Sequence, residues 1–350
     1  MILPSNPPPI AAASAWSRWH GRLHRHLRRH PGLLPPGSHL LLAVSGGQDS
    51  MALTALLADL RRLHGWHLQC WHGNHGWRPE ASQQAAELAD WLMTRGLNLH
   101  LGRAEPPPPG EAAARHWRYA QLAVAARQLG STRVVTGHTA SDRAETVLLN
   151  LARGSHRLGL AALAEQRRLG GGPEQLVRPL LMFTRADTAT IVEDLQLPVW
   201  HDTSNDDPRF RRNRVRAEVL PVLEALHPGA ARRISAMAGR LAEEGEGHRQ
   251  LLDLAIAGLQ DGDGLRLDAV LALSAGNRRA LLQHWLLQRL GRPLAAQPLE
   301  QLMASLGGAA GHGRWDLGEG HWLAWAGRRL SLMPPEAQGR QAGGPAPMGP

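Results

Sequence analysis

An apolar run at residues 39–44 leads directly into Ser45-Gly46-Gly47-Gln48-Asp49-Ser50, and from there into an apolar-periodic stretch at 49–63. This junction constrains the fold more than any other feature. A run so short and so apolar reads as a strand buried on both faces, and the stretch after it as a helix. The pattern recurs along the next hundred residues. Residues 66–71, 98–101 and 133–137 read as further strands, and 80–95, 110–129 and 141–151 as helices, with a stiff proline connector at 106–109. Strands alternating with helices specify an α/β fold with a doubly wound, mostly parallel sheet, whose ligands sit at the carboxyl ends of the strands.

The α/β signal fades after about residue 151. Residues 170–173 read as a loop, 184–195 as a helix and 202–216 as a polar, arginine-dense segment. From about residue 228 the pattern is helical, including 277–290 and 298–306, and residues 315–333 resemble a terminal hairpin turning near 318–320. The expected organisation is a disordered start at 1–13, an α/β domain at 14–225 with an N-terminal helix, a smaller mainly helical domain at 226–333, and a disordered tail at 334–350. Trp16, Trp19, Leu23 and Leu27 fall at helical spacing, which favours a basic helix over a targeting segment in the Arg-rich N-terminus. His20 and His24 share that helix at a metal-ligand spacing; with no further partners in sequence they read as solvated side chains.

Composition narrows the chemistry. All 39 basic residues are arginine, and the net charge is +9. The balance points to a polyanionic partner such as nucleic acid, against the alternative of a general bias toward Arg, Ala, Gly and Pro. With no lysine, the chain has no Walker-type P-loop, no protein-kinase lysine and no side-chain Schiff base. Cys70 is the single cysteine, so no intramolecular disulfide or thiolate cluster forms, in keeping with a reducing, cytoplasmic location. No apolar run approaches the ~20 residues that span a membrane.

The Ser45–Ser50 loop has the makings of a phosphate cradle. Its glycines permit a sharp turn and close backbone approach, and the free amides at the start of a helix favour an anion. Ser45 and Ser50 add hydroxyl donors. Asp49 would repel a bare phosphate, so its place in the loop implies a bridging Mg²⁺. The alternative is an ordinary glycine-rich turn.

This loop resembles the PP-loop of the ATP pyrophosphatases, an adenine nucleotide alpha hydrolase-like fold that splits ATP between its α and β phosphates. An ordered series of segments narrows the resemblance. It begins with His75-Gly76-Trp77-Arg78-Pro79, Glu111-Ala112-Ala113-Ala114-Arg115 with Arg118-Tyr119, and Thr136-Gly137-His138. Next come Asp142, Glu145 and Thr146, then Arg153-Gly154 and Gly159-Leu160. Arg178-Pro179-Leu180, Arg185, Asp202-Thr203-Ser204-Asn205 and Arg212-Asn213-Arg214-Val215-Arg216 complete the series. Over residues 40–225 it is similar to the tRNA(Ile)-lysidine synthetases. Residues 281–299, with Trp285 and Gly291-Arg292-Pro293, are similar to the substrate-binding domain of that family. Where the family usually reads H-H-x-D-D-Q, this chain reads His138-Thr139-Ala140-Ser141-Asp142-Arg143, without the second histidine and the first aspartate.

The resemblance implies a reaction in which ATP adenylates C2 of the wobble cytidine in the CAU anticodon of minor isoleucine tRNA, after which free lysine displaces AMP. It implies ATP and pyrophosphate binding by Ser45, Gly46, Gly47, Gln48, Asp49 and Ser50, with His75 at the adenosine. Arg118 and Arg212 are expected to stabilise the transferring phosphoryl group. Asp142 and Glu145, three apart on one helical face, are expected to orient the lysine ammonium and relay its proton. His138 joins the catalytic set, and Asp49 and Asp142 are the expected Mg²⁺ ligands. Arg209, Arg211, Arg212, Arg214 and Arg216 are expected to meet tRNA phosphates. A homodimer is also implied. Simpler roles stay open: Asp142 and Glu145 as carboxylates favouring a helix N-terminus, His138 as a satisfied core histidine, and residues 209–216 as a solvated face. Rival functions are a PP-loop tRNA thiolase, which relays sulfur through cysteines or an iron–sulfur cluster, an ammonia-using synthetase, and a degenerate tRNA-binding protein.

Overall fold

Strand β1 (His39–Ala43) occupies the middle of a six-stranded sheet because its three consecutive leucines can be buried on both faces at once. The computed structural model describes residues 16–77, 80–155, 157–200, 207, 209–307 and 312–333. The terminal stretches expected to be disordered, 1–13 and 334–350, lie outside the described residues. The chain divides into two units, residues 1–243 and 244–350. The division falls inside one long helix, whereas the sequence reading sets the boundary after residue 225.

In the first unit, helix α1 (Arg18–Arg29) precedes β1, and α2 (Gln48–His64), β2 (His67–Asn74), α3 (Ala81–Thr94), β3 (Leu99–Arg103), α4 (Glu111–Gln128), β4 (Arg133–Thr136) and α5 (Ala140–Ala152) follow it. The sheet order is β3-β2-β1-β4-β6-β5, parallel except for the edge strand β5 (Gln166–Arg168), which runs antiparallel to β6 (Gln175–Val177). Leu42 of β1 stands in register with Cys70 of β2 and Val135 of β4. Alternate side chains of β1 take opposite faces. Leu40 and Leu42 join a core with α1, α2 and α3, while Leu41 packs with Trp71, Leu122 and Ala126 under α4.

The β5–β6 pair is the one addition to the α/β pattern read from sequence. Its strands are three residues long, and the loop expected at 170–173 joins them. Strands this short carry no readable periodicity; pairing of β6 to β4 defines them. A short helix α6 (Arg157–Leu160) precedes the pair, and a 3₁₀ turn (Pro179–Met182) and α7 (Arg185–Asp194) follow it. The arginine-dense segment folds as α8 (Arg211–Arg214) and a π-helical turn (Val215–Val219) leading into α9 (Leu220–Leu226). Helix α10 (Ala230–Leu259) then carries the chain into the second unit.

Helix α1 forms with Trp19, Leu23 and Leu27 buried, while Trp16 is exposed. His20 corrects the solvated reading. It is 1% exposed, accepts from the Ser17 amide at Nδ1 (3.1 Å), and therefore donates from Nε2 to Asp59 Oδ2 (3.0 Å). His24 meets His64, nitrogen to nitrogen, at 3.1 Å.

The second unit is helical with a small antiparallel sheet. Helices α11 (Leu267–Ala272), α12 (Ala275–Leu290) and α13 (Ala296–Gly307) pack around Trp285, itself 1% exposed. The hairpin read from sequence is present as β9 (His312–Gly318) and β10 (His321–Ala326). A third strand, β11 (Arg329–Met333), and the pair β7 (Gln260–Asp261) and β8 (Gly264–Arg266) extend it to five strands, ordered β7-β8-β11-β10-β9. Among the described residues, no helix is long and apolar enough to cross a membrane.

Candidate active site

The Ser45–Ser50 loop emerges from the carboxyl end of β1 and opens α2. Ser45 Oγ and Ser50 Oγ lie 3.1 Å apart, the Ser45 amide donates to Ser50 Oγ (3.2 Å), and Ser50 Oγ donates to the Gly47 carbonyl (2.8 Å). Gly46 has φ +84, a left-handed conformation that disfavours a side chain, and a Cβ there would lie 3.2 Å from the Trp200 ring. Trp200 also donates its amide to the Gly46 carbonyl at 3.0 Å. The loop is thus held from outside its own sequence.

Helix α7 supplies the rest of that support. Gln48 Nε2 donates to the Arg185 carbonyl (2.7 Å) and to Thr188 Oγ1 (2.8 Å). Asp49 accepts from Thr188 Oγ1 through one carboxylate oxygen and from Arg185 Nη1 (3.3 Å) through the other. Removal from water, and then the neighbouring Asp142 charge, raise the Asp49 carboxyl to about 6, against the opposing effects of Thr188, Arg185 and Arg216. Thr188 carries no motif signal in sequence; only the packing of α7 against α2 brings it to the loop.

The second half of the site lies where β4 ends and α5 begins. Thr139 caps α5 and exchanges hydrogen bonds with Asp142: the Thr139 amide and Oγ1 both donate to Asp142 Oδ2 at 2.8 Å. The capping role considered from sequence is therefore real for Asp142. Its other oxygen, Oδ1, accepts from Arg212 Nη2 at 2.8 Å. Burial favours the neutral acid, but Arg212, His138 and the Thr139 donors outweigh it and hold Asp142 below the usual carboxylate range.

Glu145 is 1% exposed and bound by two arginines. Arg212 Nε donates to Oε2 and Arg216 Nε to Oε1, each at 2.7 Å, with Arg216 Nη2 adding a 3.1 Å bond to Oε2. These contacts sort the arginines of residues 209–216. Arg212 and Arg216 turn inward onto the carboxylates, while Arg209 pairs with Asp207 (2.7 Å), Arg214 with Glu218 (2.8 Å), and Arg211 is exposed.

His138 accepts or donates at Nδ1 with Thr136 Oγ1 (2.8 Å). Burial pushes its imidazole well below the ordinary value; Asp142 opposes this, and Arg178, Arg212 and Arg118 add to it. A neutral imidazole at neutral pH follows. Arg118 is close enough to His138 and Arg212 to act on both charges. His75 stands apart at the end of β2, its ring 5.2 Å from Trp77 and 5.0 Å from Trp117. Arg78, Pro79 and residues 202–205, which carry part of the resemblance, lie outside the described residues.

The chemistry of this arrangement is that of a phosphate loop with carboxylates at its mouth. Asp142 raises Asp49 and so lies near it, each carboxylate also meeting an arginine, and one or two carboxylates plus substrate phosphates are the donor set Mg²⁺ takes. The residues present fit that ion.

Comparison with known proteins identifies the family. A family model described as a PP-loop domain matches residues 22–223. The chain is 51% identical over 329 residues to a tRNA(Ile)-lysidine synthase of Parasynechococcus marenigrum, covering 93% of this chain and 97% of that one. It is 40% identical to a protein of the same description from Prochlorococcus marinus, covering 91% and 97%. Among solved structures, a U34-tRNA thiolase from Methanococcus maripaludis is similar in fold, with a TM-score of 0.54 at 16% identity over 64% of this chain and 79% of that one. With a PP-loop domain model matched over more than half its length and curated relatives matched nearly end to end, the chain belongs to the tRNA(Ile)-lysidine synthase family of PP-loop proteins.

Proposed function

We propose that this protein uses ATP to join lysine to C2 of the wobble cytidine in the CAU anticodon of minor isoleucine tRNA, releasing AMP and pyrophosphate. The observation that carries the reading is the convergence of the Ser45–Ser50 loop, Asp49 and the Asp142–Glu145 carboxylates at the carboxyl ends of neighbouring strands β1 and β4. In the first step the cytidine C2 oxygen attacks the α-phosphorus and the bond to pyrophosphate breaks. Loop amides and the Ser45 and Ser50 hydroxyls hold the departing phosphates. Bound between Asp49 and Asp142, Mg²⁺ would offset the negative charge gathering on them. Arg118 and Arg212 steady the phosphoryl group in transit.

In the second step the lysine ε-amine attacks C2 and AMP leaves. An amine of pKa ≈ 10.4 is only about 0.1% unprotonated near pH 7.4, a cost of about 4 kcal/mol. Asp142 and Glu145 orient the ammonium and relay its proton towards solvent. Arg212 also meets both carboxylates, so the ammonium joins a site already matched to positive charge. Neutral His138 adds no competing charge beside it.

The thiolase reading is disfavoured by Cys70, which is fully buried, with a thiol that burial pushes up to about 12. The reading includes a homodimer, which native mass determination tests. The test of function is incubation with ATP, Mg²⁺, lysine and a CAU-anticodon isoleucine tRNA transcript, followed by nucleoside mass analysis. A cytidine heavier by one lysine less water, with AMP formed, is the expected result. Adenylated tRNA without lysine transfer overturns the assignment of the second substrate, and no change in nucleotide or tRNA overturns the reaction.

A further inference from the structure

Several arginines of the first unit are paired with carboxylates: Arg212 and Arg216 with Glu145, Arg185 with Asp49, Arg232 with Asp187. One group is not. Arg115, Arg118 and Arg167 hold their guanidiniums 5.2, 5.6 and 5.0 Å from the ring centre of Tyr119, the only tyrosine in the chain. Arg178, 1% exposed, lies beside the same phenol and has its Nη1 on the Ala164 carbonyl (2.5 Å). Among the described residues, no carboxylate forms an ion pair with any of the four.

Four like charges around one ring repel each other, and the ring's negative face offsets only part of that repulsion. Two further signs mark the group as incomplete. Arg178 Nε is shielded from solvent with no hydrogen-bond partner among the described residues, and the shielded Tyr119 Oη has the Arg118 and Arg178 guanidiniums as its neighbours. Burial would raise the Tyr119 phenol, yet Arg115, Arg178 and Arg118 together hold it below its ordinary value. The missing component is an anion.

Position identifies which anion. The phosphate loop leads into α2 on one face of the sheet, whereas Tyr119 packs with Leu122 and Leu176 on the other. The group nevertheless borders the reacting cleft, because Arg178 and Arg118 both act on His138. Its floor, Arg178, is buried, and its rim, Arg115 and Arg167, is exposed. A site open on one side, beside the cleft but across the sheet from the ATP loop, suits a phosphate that remains attached to a large chain.

We infer that Arg115, Arg167 and Arg178, gathered with Arg118 around Tyr119, form a binding site for a backbone phosphodiester of the RNA strand flanking the target nucleotide. The site positions the wobble base over the cleft while the PP-loop holds ATP. This rests on the tRNA reaction proposed above.

The test uses the full-length protein with Arg115→Gln, Arg167→Gln and the double variant, all at exposed positions. The double variant is expected to bind the tRNA transcript about tenfold more weakly near physiological salt, with the slope of log K against log salt reduced by about one per lost contact. The KM for ATP stays unchanged, and Arg115→Lys with Arg167→Lys restores much of the affinity. A shift in ATP KM or in pyrophosphate inhibition with tRNA binding intact overturns the inference in favour of an ATP phosphate site. No change in either overturns it in favour of packing alone.

Phosphate-ethylation interference on the wild-type complex provides a readout independent of any variant. Interference at phosphates next to the wobble nucleotide is expected, and its absence there overturns the site. The two readings fail separately. Wild-type protein that binds tRNA through these arginines but makes no lysidine overturns the reaction alone; lysidine formation with unchanged variants overturns the site alone.

Discussion

Gly137 lies so close to Asp49 that a Cβ on Gly137 would sit 2.9 Å from the Asp49 carbonyl carbon and oxygen. The atoms it would strike belong to the backbone of the first turn of α2, which has no flexible side chain to move aside. Gly137→Ala therefore displaces the start of α2 and the phosphate loop with it. We expect kcat/KM for ATP to fall about 100-fold, since misplacement by about 1 Å costs that much, and steady-state kinetics at saturating tRNA measures it. Retention of wild-type ATP kinetics contradicts the packing described here.

Glu145→Gln keeps the shape of a buried side chain and removes its charge, leaving Arg212 and Arg216 to share Asp142, at 2.8 and 3.8 Å. Loss of one member of a buried ion-pair network costs about 3 kcal/mol, read as a lower denaturation midpoint. The functional expectation is a split: KM for lysine rises about tenfold or more while KM for ATP stays within about twofold. Parallel changes in both constants would place Glu145 in general support of the site instead of at the amine.

The buried Cys70 thiol sets a pH dependence. Its value rises from 9.0 to about 12 on folding, so the protonated thiol favours the native state. That contribution is complete below pH 9 and is lost as pH rises from 9 towards 12. Native protein at pH 8 is expected to resist a thiol-specific dye, with one equivalent reacting after denaturation. Rapid labelling without denaturant contradicts the burial.

His20→Ala removes a buried imidazole that joins the Ser17 cap to Asp59 and leaves both without that partner. A loss of about 2 kcal/mol in unfolding free energy is expected, with lysine-ligation kcat unchanged because His20 contacts no residue of the phosphate loop. Chemical denaturation and steady-state kinetics on the same preparation separate the two effects.

The legibility of this protein follows the range of the interactions involved. The strand, loop and helix spanning residues 39–64 were readable because each carries its own local cause: three buried leucines, two glycines and an apolar period. The β5–β6 pair was not, since strands of three residues exist only through pairing with β4. His20 read as solvated because nothing near it in sequence reveals Asp59, 39 residues away.

The candidate site divides the same way. Local sequence determined that a phosphate loop follows β1 and that Asp142 and Glu145 lie on one face of α5, because turn geometry and the helical period act over a few residues. Tertiary structure alone decided that Thr188 and Arg185 hold Asp49, that Trp200 closes over Gly46, and that Arg212 and Arg216 turn inward while Arg209 and Arg214 do not. It also gathered around Tyr119 four arginines that, among the described residues, form no ion pair with a carboxylate. Which charges meet depends on how separate elements pack, and a charge carries no mark in sequence of the partner it will find.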